Sequence, residues 1–159
     1  MNVVLYEPDI PGNTGNVGRT CVGTQTRLYL VGKLGFSLND KYLKRSGLDY
    51  WPKLDLKVHS NWDEFFSAVS AEPEQFYFFE KDAVETLWQA TFKKDSYLIF
   101  GSETRGFPEE IRNRYHHRFH KIPMTGPIRS LNLSSAVAVA LYEAIRQTEN
   151  PASSVVSLL

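Results

Sequence analysis

Ile122-Pro123-Met124-Thr125-Gly126-Pro127-Ile128-Arg129-Ser130-Leu131-Asn132-Leu133-Ser134-Ser135-Ala136 is the stretch on which the fold turns. A strand-like segment ends at Ile122, and Pro123, Gly126 and Pro127 make a loop after it. Ser130, Asn132 and Ser134 then crowd the start of a strongly apolar helix. Hydroxyls, an amide and free backbone N–H groups thus gather at one helix N-terminus, which suits a polar ligand. Ser and Asn are also ordinary helix caps, so the same residues read equally as the start of a core helix.

Working outward, short apolar runs alternate with helical ones. Strands are expected at Asn2 to Tyr6, Arg27 to Val31, Leu56 to His59, Gln75 to Phe79, Tyr97 to Phe100 and Phe119 to Ile122. Pro8, Pro11, Gly12 and Asn13 read as breakers, with a helix from near Gly15 or Asn16 to about Thr24. Trp62 to Val69 reads as helical, with Asp63 and Glu64 in the first turn, where the helix dipole favours acids. Pro108 opens a short helix, as proline does at a first helical position. The last helix is expected over Leu131 to Arg146 and is stopped by Asn150-Pro151; the tail from Ala152 to Leu159 has no clear pattern. Continuous apolar strands alternating with helices imply an α/β protein: a mostly parallel six-stranded sheet with helices on both faces.

Length and composition set the outer bounds. The 159 residues suit one domain spanning 1–159, large enough to bury a core. The 18 basic and 18 acidic residues balance, so any nucleic-acid affinity has to be local. Lys41, Lys44 and Arg45, followed by Tyr50 and Trp51, form one candidate patch. Arg112, Arg114, His116, His117, Arg118, His120 and Lys121 form another. Cations reach phosphates and aromatics stack on bases, although a charge run is more often a solvated face. The histidines lack metal-ligand spacing, so no metal is expected. The lone Cys21 allows no intrachain disulfide, fits a reducing cytoplasm, and reads as a buried filler. No stretch approaches the roughly 20 apolar residues of a membrane span, and the N-terminus has no basic signal-peptide region.

Ligands of an open parallel sheet sit at the carboxyl ends of its strands. Three of those ends carry unusual loops. Gly12, Gly15 and Gly18 follow the first strand at a spacing of three, which is not the order of a dinucleotide fingerprint. Gly101-Ser102-Glu103-Thr104-Arg105-Gly106 follows the fifth predicted strand, and the opening stretch follows the sixth.

Taken in order, Asn13-x-Gly15-Asn16-x-x-Arg19, Gly101-Ser102-Glu103-x-x-Gly106 and Ser130-Leu131-Asn132-Leu133-Ser134 resemble the three motifs of the SPOUT RNA methyltransferases. The likeness is closest to the small TrmL branch and covers nearly the whole chain. Leu5-Tyr6-Glu7-Pro8, Gly47-Leu48-Asp49-Tyr50-Trp51 and Ile122-Pro123-Met124 also resemble that branch. Gly23-Thr24-Gln25-Thr26 and Thr125-Gly126-Pro127-Ile128 fall where branches differ, which bears on substrate choice.

The resemblance implies a C-terminal trefoil knot, which physical priors alone disfavour. It implies S-adenosylmethionine as cofactor and S-adenosylhomocysteine as product. Phe79, Gly101, Ile122, Met124, Ser130 and Leu131 would hold the cofactor. The reaction implied is 2′-O-methylation of a tRNA ribose, at the wobble pyrimidine of leucine tRNAs. Ribosomal RNA methylation and a catalytically silent RNA-binding module are the alternatives. Arg19 would orient and polarise the ribose oxygen, since an arginine is too basic to act as base. Asn13 and Asn16 would hold loop and substrate, and Glu103 would orient Arg19 or face the cofactor. Asn132 and Ser134 would order the knot loop. The last helix, Ala-Val-Ala-Val-Ala-Leu-Tyr from Ala136 to Tyr142, is apolar on nearly every face, so it needs cover on more than one side. The resemblance supplies that cover as a homodimer packed through the first and last helices, with Tyr142 expected in core packing.

Overall fold

A computed structural model describes residues 1–38 and 50–149. The patch residues Lys41, Lys44 and Arg45, the motif residues Gly47 to Asp49, the Asn150-Pro151 stop and the tail lie outside the described residues.

Seven parallel strands form one sheet in the order β3-β2-β1-β6-β4-β7-β5. They are β1 (Asn2–Tyr6), β2 (Arg27–Val31), β3 (Leu56–His59), β4 (Phe76–Phe79), β5 (Glu85–Thr86), β6 (Tyr97–Phe100) and β7 (Phe119–Lys121). The expected six-stranded sheet is therefore corrected to seven. The addition, β5, is two polar-leaning residues that become a strand only by pairing Glu85 with His120 and Thr86 with Lys121. Among the described residues four α-helices pack on the sheet: α1 (Pro11–Gly23), α2 (Trp62–Val69), α3 (Glu109–Arg114) and α4 (Leu133–Thr148).

The alternation of side chains along each strand sorts the core into two layers. Val3, Leu5, Leu28, Leu30, Leu98 and Phe100 face α1 and α4 together with Val17, Cys21, Val137 and Leu141. Val4, Tyr29, Phe76, Phe78 and Ile99 face the other way, against Trp62 and Phe65 of α2 and Ile111 of α3. Both faces are covered, and this explains why β4 and β6 read as unbroken apolar runs.

Two helix boundaries move for local reasons. α1 begins at Pro11, not near Gly15, because proline at N1 lacks only an N–H that the first turn leaves unpaired anyway. α4 begins at Leu133 because the Asn132 side chain accepts the Ser134 N–H at 2.9 Å and so caps the helix. Tyr142 on α4 is 59% exposed, which corrects its expected place in the core.

The strand order positions the site. β1 and β6 are neighbours, yet β1 leads into α1 on one face and β6 into α3 on the other. Such a switch of direction opens a crevice at the carboxyl ends of the two strands.

Candidate active site

One chain of hydrogen bonds links the three loops at that crevice. Asn132 Nδ2 donates to Asn13 Oδ1 at 2.9 Å. Asn13 Nδ2 donates to Glu103 Oε1 at 3.0 Å. The other Glu103 oxygen accepts the Asp9 backbone N–H at 2.8 Å. Asn13 is buried, so both ends of its amide are satisfied within the protein, as burial requires. Ser134 closes the chain, donating N–H and hydroxyl to Asn132 Oδ1 at 2.9 and 2.8 Å.

The loop after β6 is a tight closed turn. Ser102 and Gly106 exchange backbone hydrogen bonds at 2.8 and 3.2 Å. A Cβ at position 101 would fall 2.7 Å from the carbonyl carbon of Gly106, so only glycine fits there. The turn is held from outside by Asp9, which sequence reading passed over. Its carboxylate accepts from Ser102 Oγ at 2.6 Å, from Thr104 Oγ1 at 2.7 Å and from the Thr104 N–H at 3.2 Å. Arg105 adds an ion pair at 3.3 Å, and pairs also with Glu7 at 3.3 Å. The Ser102 hydrogen bond, and then those from Thr104, hold the Asp9 carboxyl below its ordinary range, against the opposing effect of burial.

A cavity of about 610 Å³ opens beside these loops. Phe79 and Phe100 form part of its wall, stacked at 4.9 Å between ring centroids. Ile122, Leu131, Leu133 and Ala136 add apolar surface, and Ser102, Ser130, Asn13 and Asn132 add polar groups. Of the residues expected at the cofactor, Phe79, Gly101, Ile122, Ser130 and Leu131 line this cavity, and Met124 does not. Asn13, Glu103 and Asn132 line it too. Ser134 reaches it only through Asn132.

Asn16 and Arg19 lie apart from the cavity, exposed on α1. The Arg19 guanidinium sits 5.8 Å from the Tyr50 ring centroid, and Tyr50 donates to the Gly15 carbonyl at 2.6 Å. Trp51 packs so closely on the same helix that a Cβ at position 18 would fall 3.0 Å from its ring. Among the described residues no ion pair joins Glu103 to Arg19; the carboxylate orients Asn13 and the Asp9 backbone instead.

The second basic cluster is largely used up by the fold. Arg112 pairs with Glu80 at 2.6 Å and donates to the Phe107 carbonyl at 3.0 Å. Arg118 donates to the carbonyls of Phe76 and Glu74 and lies over Tyr77. His120 is buried, and burial lowers its pKa. Cys21 is buried as expected, and burial pushes its thiol up to about 12. Among the described residues no cluster of His, Cys, Asp and Glu could hold a metal ion, and no helix is long and apolar enough to cross a membrane.

Comparison with known proteins gives the family and the fold. The model of the SpoU rRNA Methylase family matches residues 1–142. A tRNA (cytidine(34)-2′-O)-methyltransferase of Methylovorus glucosotrophus is 47% identical over 149 residues, covering 92% of this chain and 95% of the relative. A solved structure concerned with the 2-OH methylation of C/U34 on tRNA is 46% identical, covers 92% of this chain and 94% of its own, and superposes with a TM-score of 0.83. The SpoU methyltransferase AviRb of Streptomyces viridochromogenes, solved with AdoMet, shares the fold at a TM-score of 0.78 and 24% identity, covering 92% of this chain and 60% of its own.

Proposed function

The chain belongs to the SpoU rRNA Methylase family, and on that premise we propose that it methylates the ribose 2′-hydroxyl of the pyrimidine at position 34 of tRNA, using S-adenosylmethionine. The observation that carries this reading is the hydrogen-bonded joining of Asn132, Asn13 and Glu103 beside a cavity of cofactor size.

The cavity fits the cofactor on its own chemistry. About 610 Å³ lies within the range of sites for small molecules, and its mixed lining, apolar at Phe79, Phe100, Ile122 and Leu131 and polar or charged elsewhere, suits a bent, charged nucleoside. Phe79, Phe100, Ile122 and Leu131 would contact the apolar faces, and the backbone at Gly101 and Ser130 the polar edges. When bound, the cofactor supplies a methyl group on a sulfonium. The task of the protein is then positioning: the ribose oxygen has to be held in line and near attack distance. Asn13, fixed at both ends of its amide, sets the cavity rim on the substrate side. Arg19 polarises the ribose oxygen and stabilises negative charge developing on it. It stays protonated throughout, so the proton leaves to another acceptor.

Arg19 is exposed on α1, and Val139 and Tyr142 are exposed on α4. A second copy packed through α1 and α4 would cover that apolar surface and bring Arg19 to the interface. We assign the protein to a homodimer of single-domain chains, spanning 1–159, acting on tRNA in the cytoplasm. A trefoil knot at the C-terminal side of the sheet belongs to the same reading and rests on the family membership.

Labelled S-adenosylmethionine and tRNA lacking wobble-ribose methylation test the function. The expected product is a 2′-O-methylated pyrimidine nucleoside, absent with Arg19→Ala. Label recovered in ribosomal RNA alone, or on a base, would overturn the substrate assignment.

A further inference from the structure

Asp9 and Glu103 make a reciprocal clasp across the crevice. The Asp9 side chain accepts three hydrogen bonds and an ion pair from the loop that follows β6. The Glu103 side chain, on that loop, accepts the Asp9 N–H and one hydrogen of Asn13. Each acid thus holds the other's backbone neighbourhood. The residues joined are 90 to 96 positions apart in sequence, so nothing local provides this link. Ser102, Glu103, Thr104 and Arg105 all line the cavity, as does Ile10 immediately after Asp9. Thr104 and Arg105 are exposed, and besides Asp9 they contact Ser102 and Glu7.

We propose that Asp9 is a positioning residue for the cofactor, clamping the Ser102–Arg105 turn onto the start of α1 so that the cavity keeps the shape that takes S-adenosylmethionine. It rests on the reading of the cavity as the cofactor site, but not on the identity of the RNA. Asp9 touches no reacting atom; it acts through Ser102 and Thr104. Removing it deletes the acceptor that three donors of the turn share, leaving them to each other and to water, and the turn then samples shapes closed to the cofactor. Affinity is lost as the fraction of competent turns falls.

The test uses the full chain and S-adenosylhomocysteine as probe in calorimetry. Asp9→Ala is expected to weaken binding on the order of tenfold, matching a competent fraction near one tenth. Thr104→Val, an exposed change that removes one of the donors, is expected to weaken it less. The double variant should fall short of the product of the two, because both act through one contact. In turnover, KM for S-adenosylmethionine should rise more than kcat falls, and KM for tRNA should move less. Hydrogen exchange on the unliganded protein reads the same clasp without activity: the Thr104 amide should exchange faster in Asp9→Ala, with strand amides unchanged. Wild-type affinity in both variants would overturn the proposal. So would equal losses in every kinetic constant with a lowered melting temperature, since that marks a structural role only. Failure of wild-type transfer to tRNA, with probe binding intact, would sink the substrate reading and leave the clasp standing.

Discussion

Among the described residues two asparagines cap helices through their side chains, and they differ in one hydrogen bond. Asn61 Oδ1 accepts the Glu64 N–H at 2.8 Å at the start of α2, and Asn132 Oδ1 accepts the Ser134 N–H at 2.9 Å at the start of α4. The free amide of Asn61 goes to the adjacent Ser60 hydroxyl at 3.1 Å. The free amide of Asn132 goes to Asn13, 119 residues away. One asparagine is spent on its own helix. The other caps a helix with its oxygen and joins two motif loops with its nitrogen. A cap with a distant second partner therefore marks the site, where a cap alone does not.

The sharpest way to break that comparison is to separate the two halves of one amide. Asn132→Asp keeps the capping oxygen and adds a charge that the helix N-terminus favours, so the cap itself should survive, offsetting part of the cost of the orphaned Asn13 oxygen. It removes the donor to Asn13 and sets two oxygens against each other. Asn13 cannot turn its amide to compensate without losing Glu103. Displacing Asn13 should lower methyl transfer on the order of 100-fold, as small misplacements at a reacting centre do. A variant that keeps both stability and rate would reduce Asn132 to a cap.

Asn61→Ala is the counterpart and carries the next largest effect. It should cost about 1 kcal/mol of stability through the lost cap, read by urea unfolding. Methyl transfer per folded molecule should not change, because none of the Asn61 partners lines the cavity. A loss of rate here would mean that α2 speaks to the site by a route the hydrogen bonds do not reveal.

The contrast also explains what could be read from the sequence. Strands β1, β2 and β6 were legible to their ends because burial on both faces makes the middle of each a continuous apolar run; β3, an edge strand with Lys57 and Val58 exposed, has no such run. β5 was not, since two residues carry no pattern and only the register with β7 makes them a strand. The start of α1 was misread because Pro11 is a breaker inside a helix and a starter at its first position. Asn132 was legible as a cap and, by resemblance, as a motif residue. Asp9 was silent: it follows a proline in a strand-end loop, and its partners are all distant in sequence. A single sequence shows what a residue does for its neighbours, and it hides a contact that only topology creates.

The smallest effect concerns two carboxylates that stand beside these two regions. Glu64, one turn from Asn61, accepts from the Ser60 hydroxyl and from the Ser60 N–H at 2.8 Å, with His59 at 3.5 Å. Asp9 accepts from Ser102 and Thr104, and Arg105, Glu7 and Glu103 are the charges around it. Hydrogen bonds lower both pKa values, from Ser60 in the first case and Ser102 in the second. A carboxyl lowered by folding stabilises the protein fully above its unfolded pKa, and that contribution is lost as pH falls through the lower folded value. Neither tether should therefore respond between pH 7 and about 5. The hydrogen bonds to the two carboxylates, followed by NMR on acidification at the Ser60 and Thr104 amides, should be released only below the ordinary values, 4.5 for Glu64 and 3.8 for Asp9, and a His59→Gln background keeps the imidazole beside Glu64 out of the Ser60 signal. Release at Ser60 should leave the turn after β6 untouched, whereas release at Thr104 should be accompanied by movement of Asn13, since Glu103 and Asp9 share the clasp. An inflection of Thr104 near neutral pH would show that some group other than Asp9 governs that turn, and the reciprocal clasp would fail with it.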